Sequence, residues 1–289
     1  IKKNKNSKIL VVLHMFYMKS TEEIIEYLKN LSCYKYDLIV TYMDGYYDIN
    51  YLNKFKKFKK DTKLIKCQNK GYDIGPFIEV INNVNLKKYD IVLKLQAKST
   101  NKSIYIYNQF FKDRDWFINL YQGILGPFNV HHMVDRLIND NTCDLVASKN
   151  LIVKDPKHKQ QLVKEGLNNK KLKNIKFYDD YNFVAGSCFA IRANCLKEIQ
   201  NLKLTINDFE DTNKGFFSLA HVMERVICFN ANNFLGLPSY YFRHLKWRKL
   251  EKKLNNLTAM NLVNNKDFIL NDDFIWHYLE LRFIEKYEI

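Results

Sequence analysis

The sequence predicts an α/β protein of the Rossmann type, a doubly wound sheet flanked by helices. Strand and helix patterns alternate as βαβαβαβ through the first hundred residues. The strand patterns at residues 7–15 (SKILVVLHM) and 89–95 (YDIVLKL) are largely apolar, as strands covered on both faces must be. Four prolines and nine glycines in 289 residues leave no flexible linker and too few turns for a sandwich of short strands.

The first strand carries Ile9, Leu10, Val11, Val12 and Leu13 and ends at His14. Ser20 or Thr21 can cap a helix running to Asn30, with Glu23 completing a capping box and Ile24, Ile25, Tyr27, Leu28 and Leu31 forming its buried face. Residues 36–42 (YDLIVTY) give a second strand, residues 48–58 a basic helix, residues 63–67 a third short strand and residues 74–84 another helix. The strand at 89–95 then delivers Lys94, Gln96, Lys98, Ser99 and Thr100 towards its carboxyl end, the edge at which open α/β sheets bind ligands. A solvated lysine-rich loop is the plainer reading of the same segment.

In the second half, residues 112–138 have helical spacing, residues 143–147 a short strand, and residues 156–173 a highly charged helix and loop. Residues 182–192 (NFVAGSCFAIR) read as a strand interrupted at Ala185, Gly186 and Ser187. The chain therefore reads as one domain, residues 1–242, whose first half (1–110) has the alternation of a nucleotide-binding unit and whose second half spans 111–242, followed by a C-terminal helical extension (243–289) rich in charged and aromatic residues.

An excess of 46 Lys and Arg over 31 Asp and Glu gives a net charge of +15, suited to polyanions, anionic lipid head groups or nucleotide-linked substrates. The lysines are dispersed, without an arginine stripe, zinc-finger spacing or RNA-binding signature, so nucleic acid is not the expected partner. Cys33, Cys67, Cys143, Cys188, Cys195 and Cys228 contain no CxxC pair and read as reduced core residues of a cytoplasmic protein. No apolar run reaches the ~18–20 residues of a membrane span, which leaves a soluble protein whose basic face can rest on the anionic inner surface of the cell membrane.

Several constellations could carry chemistry. Asn69, Lys70, Gly71, Tyr72 and Asp73 form a polar turn before a helix; Asp73 either caps that helix or accepts hydrogen bonds from a nucleotide. Gly186 and Ser187 break a buried strand, which suits close backbone approach by a donor sugar or by a neighbouring helix. Asp208, Glu210 and Asp211 precede a helix spanning about 216–229, where a carboxylate can serve as general base or simply complement the helix dipole. His221, Glu224 and Arg225 share one face of that helix, as a structural Glu–Arg pair or as a ligand-facing trio. H-E-x-x-H, P-loop, G-x-S-x-G and G-x-G-x-x-G motifs are absent, which removes metalloprotease, P-loop ATPase and α/β-hydrolase readings.

The order of parts in residues 69–100 resembles the nucleotide-sugar half of a GT-A glycosyltransferase, with a mixed sheet flanked by helices. The Asp-x-Asp that commonly holds a divalent metal after that strand is absent there, so no metal ligands are assigned; a divalent metal stays open as a cofactor, and lysine charge can neutralise a leaving diphosphate in its place.

The chain as a whole resembles the rhamnan synthesis protein F family of bacterial cell-wall, O-antigen and capsule glycosyltransferases. The resemblance runs from about His14 to Phe229. It rests on His14, the 69–77 segment NKGYDIGPF, the 89–94 segment YDIVLK, Leu120-Tyr121 through Leu125-Gly126, Ala185-Gly186-Ser187 with Arg192, Asp208-Phe209-Glu210, and Ala220-His221 with Glu224-Arg225. Tyr72 stands where the family commonly has Arg, and Gln96-Ala97-Lys98 where it commonly has His-Thr-Lys.

That resemblance implies transfer of a sugar from a dTDP-, UDP- or GDP-linked donor to a hydroxyl of a lipid-linked or oligosaccharide acceptor, alongside other polysaccharide-assembly enzymes. The expected mechanism is inversion by single displacement. Asp208 or Glu210 takes the acceptor proton, with His221 and Glu224 as further catalytic candidates. His14, Asn69, Gly71, Asp73, Lys94, Gln96, Lys98, Gly186, Ser187 and Arg225 line the donor site. Two other readings stand beside it: a non-catalytic glycan-binding or scaffold subunit, and a phospho-sugar or glycerol-phosphate transferase.

Overall fold

A computed structural model describes residues 7–99, 103–107, 109–112, 114–212 and 217–239. The expected C-terminal helical extension, Thr100 and the expected helix start at Phe216 lie outside the described residues.

The first half alternates as expected: β1 (Lys8–Met15), α1 (Thr21–Leu28), β2 (Lys35–Met43), α2 (Ile49–Phe58), β3 (Lys63–Cys67), α3 (Ile74–Asn83) and β4 (Ile91–Gln96). Asp48 caps α2 by accepting from the Asn50 backbone N–H at 2.8 Å. The capping box expected on α1 does not form. Ser20 and Thr21 turn their hydroxyls backward, each donating at 2.7 Å to the carbonyls of Tyr17 and Met18. Glu23 pairs instead with Arg114, far along the chain. A hydroxyl that bonds locally in the preceding turn is lost to capping.

The second half continues with the antiparallel pair β5 (Ile104–Ile106) and β6 (Gln109–Phe111), helices α4 (Asp115–Leu125) and α5 (Asn129–Asn139), β7 (Leu145–Ser148) and β8 (Ile152–Lys154). Then come α6 (Lys157–Gly166), β9 (Asn182–Val184), β10 (Phe189–Arg192), α7 (Lys197–Asn201), α8 (Leu219–Phe229) and β11 (Phe234–Leu237).

Seven strands form one sheet in the order β11-β7-β10-β4-β1-β2-β3. Strands β3, β2, β1 and β4 are parallel, whereas β10 runs antiparallel to both β4 and β7. The sheet is therefore mixed, the architecture expected from the sequence. β4 is central, but it is parallel only on its β1 side. The interruption at residues 185–187 sends the chain from β9, which pairs with β8, into β10 of the main sheet.

Helices α1, α2, α4 and α5 pack with one another, and α3, α6, α7 and α8 form a second group. Each group covers a face, so β1 and β4 are buried almost throughout. The winding direction reverses between β1 and β4, and their carboxyl ends mark the switch point where such sheets open a crevice.

Candidate functional site at the switch point of the sheet

Lys94 sits inside β4 with 1% of its surface exposed, a placement that is costly for an ammonium without a partner. Its partner is Asp73, at the start of α3. The Asp73 side chain makes no capping bond to α3. It accepts from Lys94 and, at 2.5 Å, from the Ser187 hydroxyl. Burial alone would raise the Asp73 carboxyl, but the charges of Lys94 and Lys98 and these hydrogen bonds outweigh it and hold it at about 2.

Gly186 and Ser187 adopt left-handed φ values of 78° and 48°, a tight reversal that only the first of them makes freely. A Cβ at Gly186 would stand 2.7 Å from Leu120 Cδ2 and 2.8 Å from Trp116 Cζ2, so the strand break serves close helix packing. The reversal also turns Ser187 inward, where its carbonyl and Oγ accept from Lys94 at 3.1 and 2.9 Å. Gln96 donates to the Gly186 carbonyl and to Ser187 Oγ, and its own carbonyl accepts from Tyr121 at 2.7 Å. His14 lies in register with Gln96 and Thr41, with Nδ1 2.9 Å from Thr41 Oγ1. Burial lowers the His14 imidazole to about 4, with Lys94 and Lys98 adding to the effect, so the ring is neutral at pH 7.

The 69–73 turn is clamped to residues 209–212. Asn69 Oδ1 accepts from Thr212 Oγ1 at 3.1 Å, Tyr72 donates to the Thr212 carbonyl at 2.9 Å, and the Gly71 N–H reaches the Glu210 carbonyl at 3.1 Å. Gly71 is required twice over, by its φ of 67° and by the Phe209 ring, whose atoms would lie 2.7 Å from a Cβ. Tyr72 also has positive φ, at 54°, and its ring packs edge-to-face with His221.

Asp208 and Glu210, the expected bases, are engaged elsewhere. Asp208 Oδ2 accepts from the Thr205 N–H at 2.6 Å and from Lys171 Nζ at 2.7 Å. Glu210 accepts from the Leu219 N–H at 3.1 Å at the start of α8.

The α8 trio does face the site. His221 Nδ1 accepts from the Ser218 backbone N–H at 3.2 Å, which puts the proton of the neutral ring on Nε2; burial and the Arg225 charge lower its basicity further. Glu224 is partly buried and pairs with Arg225 Nη1 at 2.5 Å. Burial raises its carboxyl above the ordinary value despite the pull of Arg225, and the Asp73 charge acts in the same direction. Arg225 is buried, stacked 4.0 Å from the Phe183 ring centroid, with Nε 2.8 Å from Asp155 Oδ2.

Sequence reading missed Asp155, which anchors this wall. It is 3% exposed and accepts from Arg225, from Tyr107 at 2.6 Å and from Tyr181 at 2.7 Å. Its neighbours Lys154, Pro156 and Lys157 are exposed, so nothing local signals burial.

A cavity of about 440 Å³ opens between these parts. Its wall brings together Asp73, Gln96, Lys98, Gly186, His221, Glu224 and Arg225 with Tyr17, Tyr107, Trp116 and Lys159. His14, Asn69, Gly71, Lys94 and Ser187 stand behind that wall as supports, and Asp208 and Glu210 lie outside it. Among the described residues there is no set of side chains arranged to hold a divalent metal. Asp73 is already neutralised by Lys94, and no three His, Cys, Asp or Glu side chains converge among the described residues. The chain does contain one Asp-x-Asp, at residues 113–115, away from the position expected for it. Asp113 lies outside the described residues, and Asp115 Oδ2 accepts from the Lys112 N–H at 3.3 Å at the start of α4.

No curated protein matches the chain. Solved structures similar to it include Staphylococcus aureus TarS 1-349, at 10% identity and TM-score 0.40, covering 81% of this chain and 58% of that one. A longer TarS chain matches at 13% identity and TM-score 0.40, covering 81% and 35%. Core-mannan synthase A from Aspergillus fumigatus in its Mn/GDP form matches at 12% identity and TM-score 0.36, covering 80% and 70%. The chain thus spans little more than half of the shorter TarS chain and about a third of the longer. A family model described as rhamnan synthesis protein F matches residues 1–234, and the chain belongs to that family.

Proposed function

We propose that this protein is a glycosyltransferase that moves a sugar from a nucleotide-sugar donor to a hydroxyl of a growing cell-surface polysaccharide, with inversion at the anomeric carbon. The observation that carries the reading is the switch-point cavity itself, whose wall joins cationic side chains to a carboxylate, Glu224, of raised basicity. Family membership supports the same substrate class.

In this reading Glu224 is the general base. The acceptor oxygen attacks the anomeric carbon, its proton passes to Glu224, and the bond to the diphosphate oxygen breaks with its electron pair leaving on the diphosphate. His221, with its proton on Nε2, donates a hydrogen bond and takes no proton. Asp208 and Glu210 act through position: one ties the 205–208 turn, the other holds the start of α8. Asp73 organises the donor loop through Lys94 and Ser187. The donor is a dTDP-, UDP- or GDP-sugar, and the acceptor a lipid-linked glycan met at the cytoplasmic membrane face, as in capsule or O-antigen assembly.

A thermal-shift screen against UDP, dTDP, GDP, CMP and their sugars tests this, since a ligand of the folded state raises Tm by mass action. One nucleotide should stabilise the protein with EDTA present. A screen without any shift overturns the proposal.

A further inference from the structure

Among the described residues, Lys94, Lys98, Lys159 and Arg225 stand in or directly behind the wall of the candidate site, and their hydrogen-bond inventories differ. An ammonium has three N–H donors and a guanidinium five. All three donors of Lys94 are engaged, by Asp73, the Ser187 carbonyl and Ser187 Oγ. All five of Arg225 are engaged as well. Nε donates to Asp155, Nη1 to the His221 carbonyl and Glu224, and Nη2 to Tyr107 and Asp155. Either side chain would have to break a buried ion pair before it could serve a phosphate, and that costs more than the new contact returns.

Lys98 and Lys159 are placed differently. Both line the cavity, Lys98 just beyond β4 and Lys159 from α6. Among the described residues neither forms an ion pair with an acid. Among the described residues Lys159 Nζ donates one hydrogen bond, to Tyr107 Oη at 3.3 Å. Its Nζ lies 4.5 Å from the centre of the Tyr107 ring, and the same hydroxyl accepts from Arg225 and donates to Asp155. The buried network thus tethers the Lys159 ammonium through a single donor and leaves its other donors to the cavity.

We propose that Lys98 and Lys159 are the diphosphate ligands of this site, and that Lys94 and Arg225 are internal counterions. This rests on the glycosyltransferase reading and deepens it: the leaving group is received by two lysines from separate elements of the fold. The negative charge that develops on the departing diphosphate oxygen falls to ammonium donors already in the wall, an arrangement that needs no reorganisation at the moment of bond breaking.

Inorganic pyrophosphate in EDTA is a probe that does not require the base or sugar to be known. The full chain should bind it by calorimetry. Lys98→Ala and Lys159→Ala should each weaken binding about tenfold or more, the scale of one charge-assisted hydrogen bond, and Lys159→Arg should retain most of it. A Lys56→Ala/Lys57→Ala variant on exposed α2 reports non-specific attraction to the basic surface and should bind as the parent does. The proposal is overturned if both site variants bind pyrophosphate unchanged, or if the α2 variant loses as much as they do; nucleotide binding by the parent would then still stand. A parent chain that binds neither pyrophosphate nor any nucleoside diphosphate removes the glycosyltransferase reading together with this one.

Discussion

Lys94 in β4 and Asp73 at the start of α3 form an ion pair that is sealed inside the protein, with side-chain exposures of 1% and 10%. The pair joins the central strand to the helix of the donor loop, and Ser187 closes it from the β9–β10 reversal. Removing one partner leaves the other charge buried and uncompensated. Lys94→Met should therefore lower stability by about 3–5 kcal/mol, and Asp73→Asn/Lys94→Met should lose less than the sum of its single variants. Urea unfolding of the three variants measures both effects.

The Asp155 cluster makes a graded prediction. Tyr181→Phe removes one hydrogen bond to a charged acceptor and should cost about 1.5–3 kcal/mol, whereas Asp155→Ala strands Arg225 and should cost about 3–5 kcal/mol. Chemical denaturation distinguishes the two. Because Lys159 donates to the Tyr107 hydroxyl and that hydroxyl donates to Asp155, Asp155→Ala should also weaken pyrophosphate binding, and Tyr181→Phe should not.

Stability should fall in two stages on acidification. His14 is held at about 4, below its ordinary 6.5, so the unfolded chain takes up a proton that the folded chain refuses. Its contribution is complete above about pH 6.5 and drains away as the pH falls towards 4. Asp73, held at about 2, contributes fully above about pH 4 and loses that contribution as the pH falls further towards 2. His131, also lowered to about 4 by burial, and His221, lowered by burial and by the Arg225 charge, add to the upper stage, so His14→Gln should reduce that stage and leave the lower one, in unfolding free energies measured from pH 7 to pH 3.

Much of this fold can be read from local pattern. The doubly apolar β1, the alternating first half and the strand interruption at Gly186 all follow from burial and backbone conformation, which a short window of sequence encodes. Pairings between distant side chains are not encoded that way. Lys94 looks like a strand-end lysine until Asp73 meets it from 21 residues away, and Ser187 is 114 residues from Asp73. The same holds for Asp155, buried between exposed neighbours, and for Glu23, which satisfies a capping-box pattern but pairs with Arg114. Asp208 closes a turn on the Thr205 N–H but also takes Lys171 from 37 residues away, and Glu210 accepts from the Leu219 N–H, so the pattern of acids before a helix encodes only part of their contacts.

Gly186→Ala tests whether the reversal between β9 and β10 is as tight as its geometry. The added methyl meets both a left-handed φ and the Leu120 and Trp116 side chains. A loss of about 1–3 kcal/mol in thermal or chemical unfolding is expected.

Release of the donor's nucleotide tests the chemistry of the cavity. The parent chain and Glu224→Gln are incubated in EDTA with UDP-, dTDP-, GDP- and CMP-sugars, with and without oligosaccharide acceptors, and the freed nucleotide is measured. The parent should release nucleotide from one donor class, with an acid limb to its rate above the ordinary carboxylate range. Glu224→Gln should be slower by about 10²–10⁴-fold while binding the same nucleotide. Equal rates in parent and variant would contradict the role given to Glu224, and no release from any donor would contradict the glycosyltransferase itself.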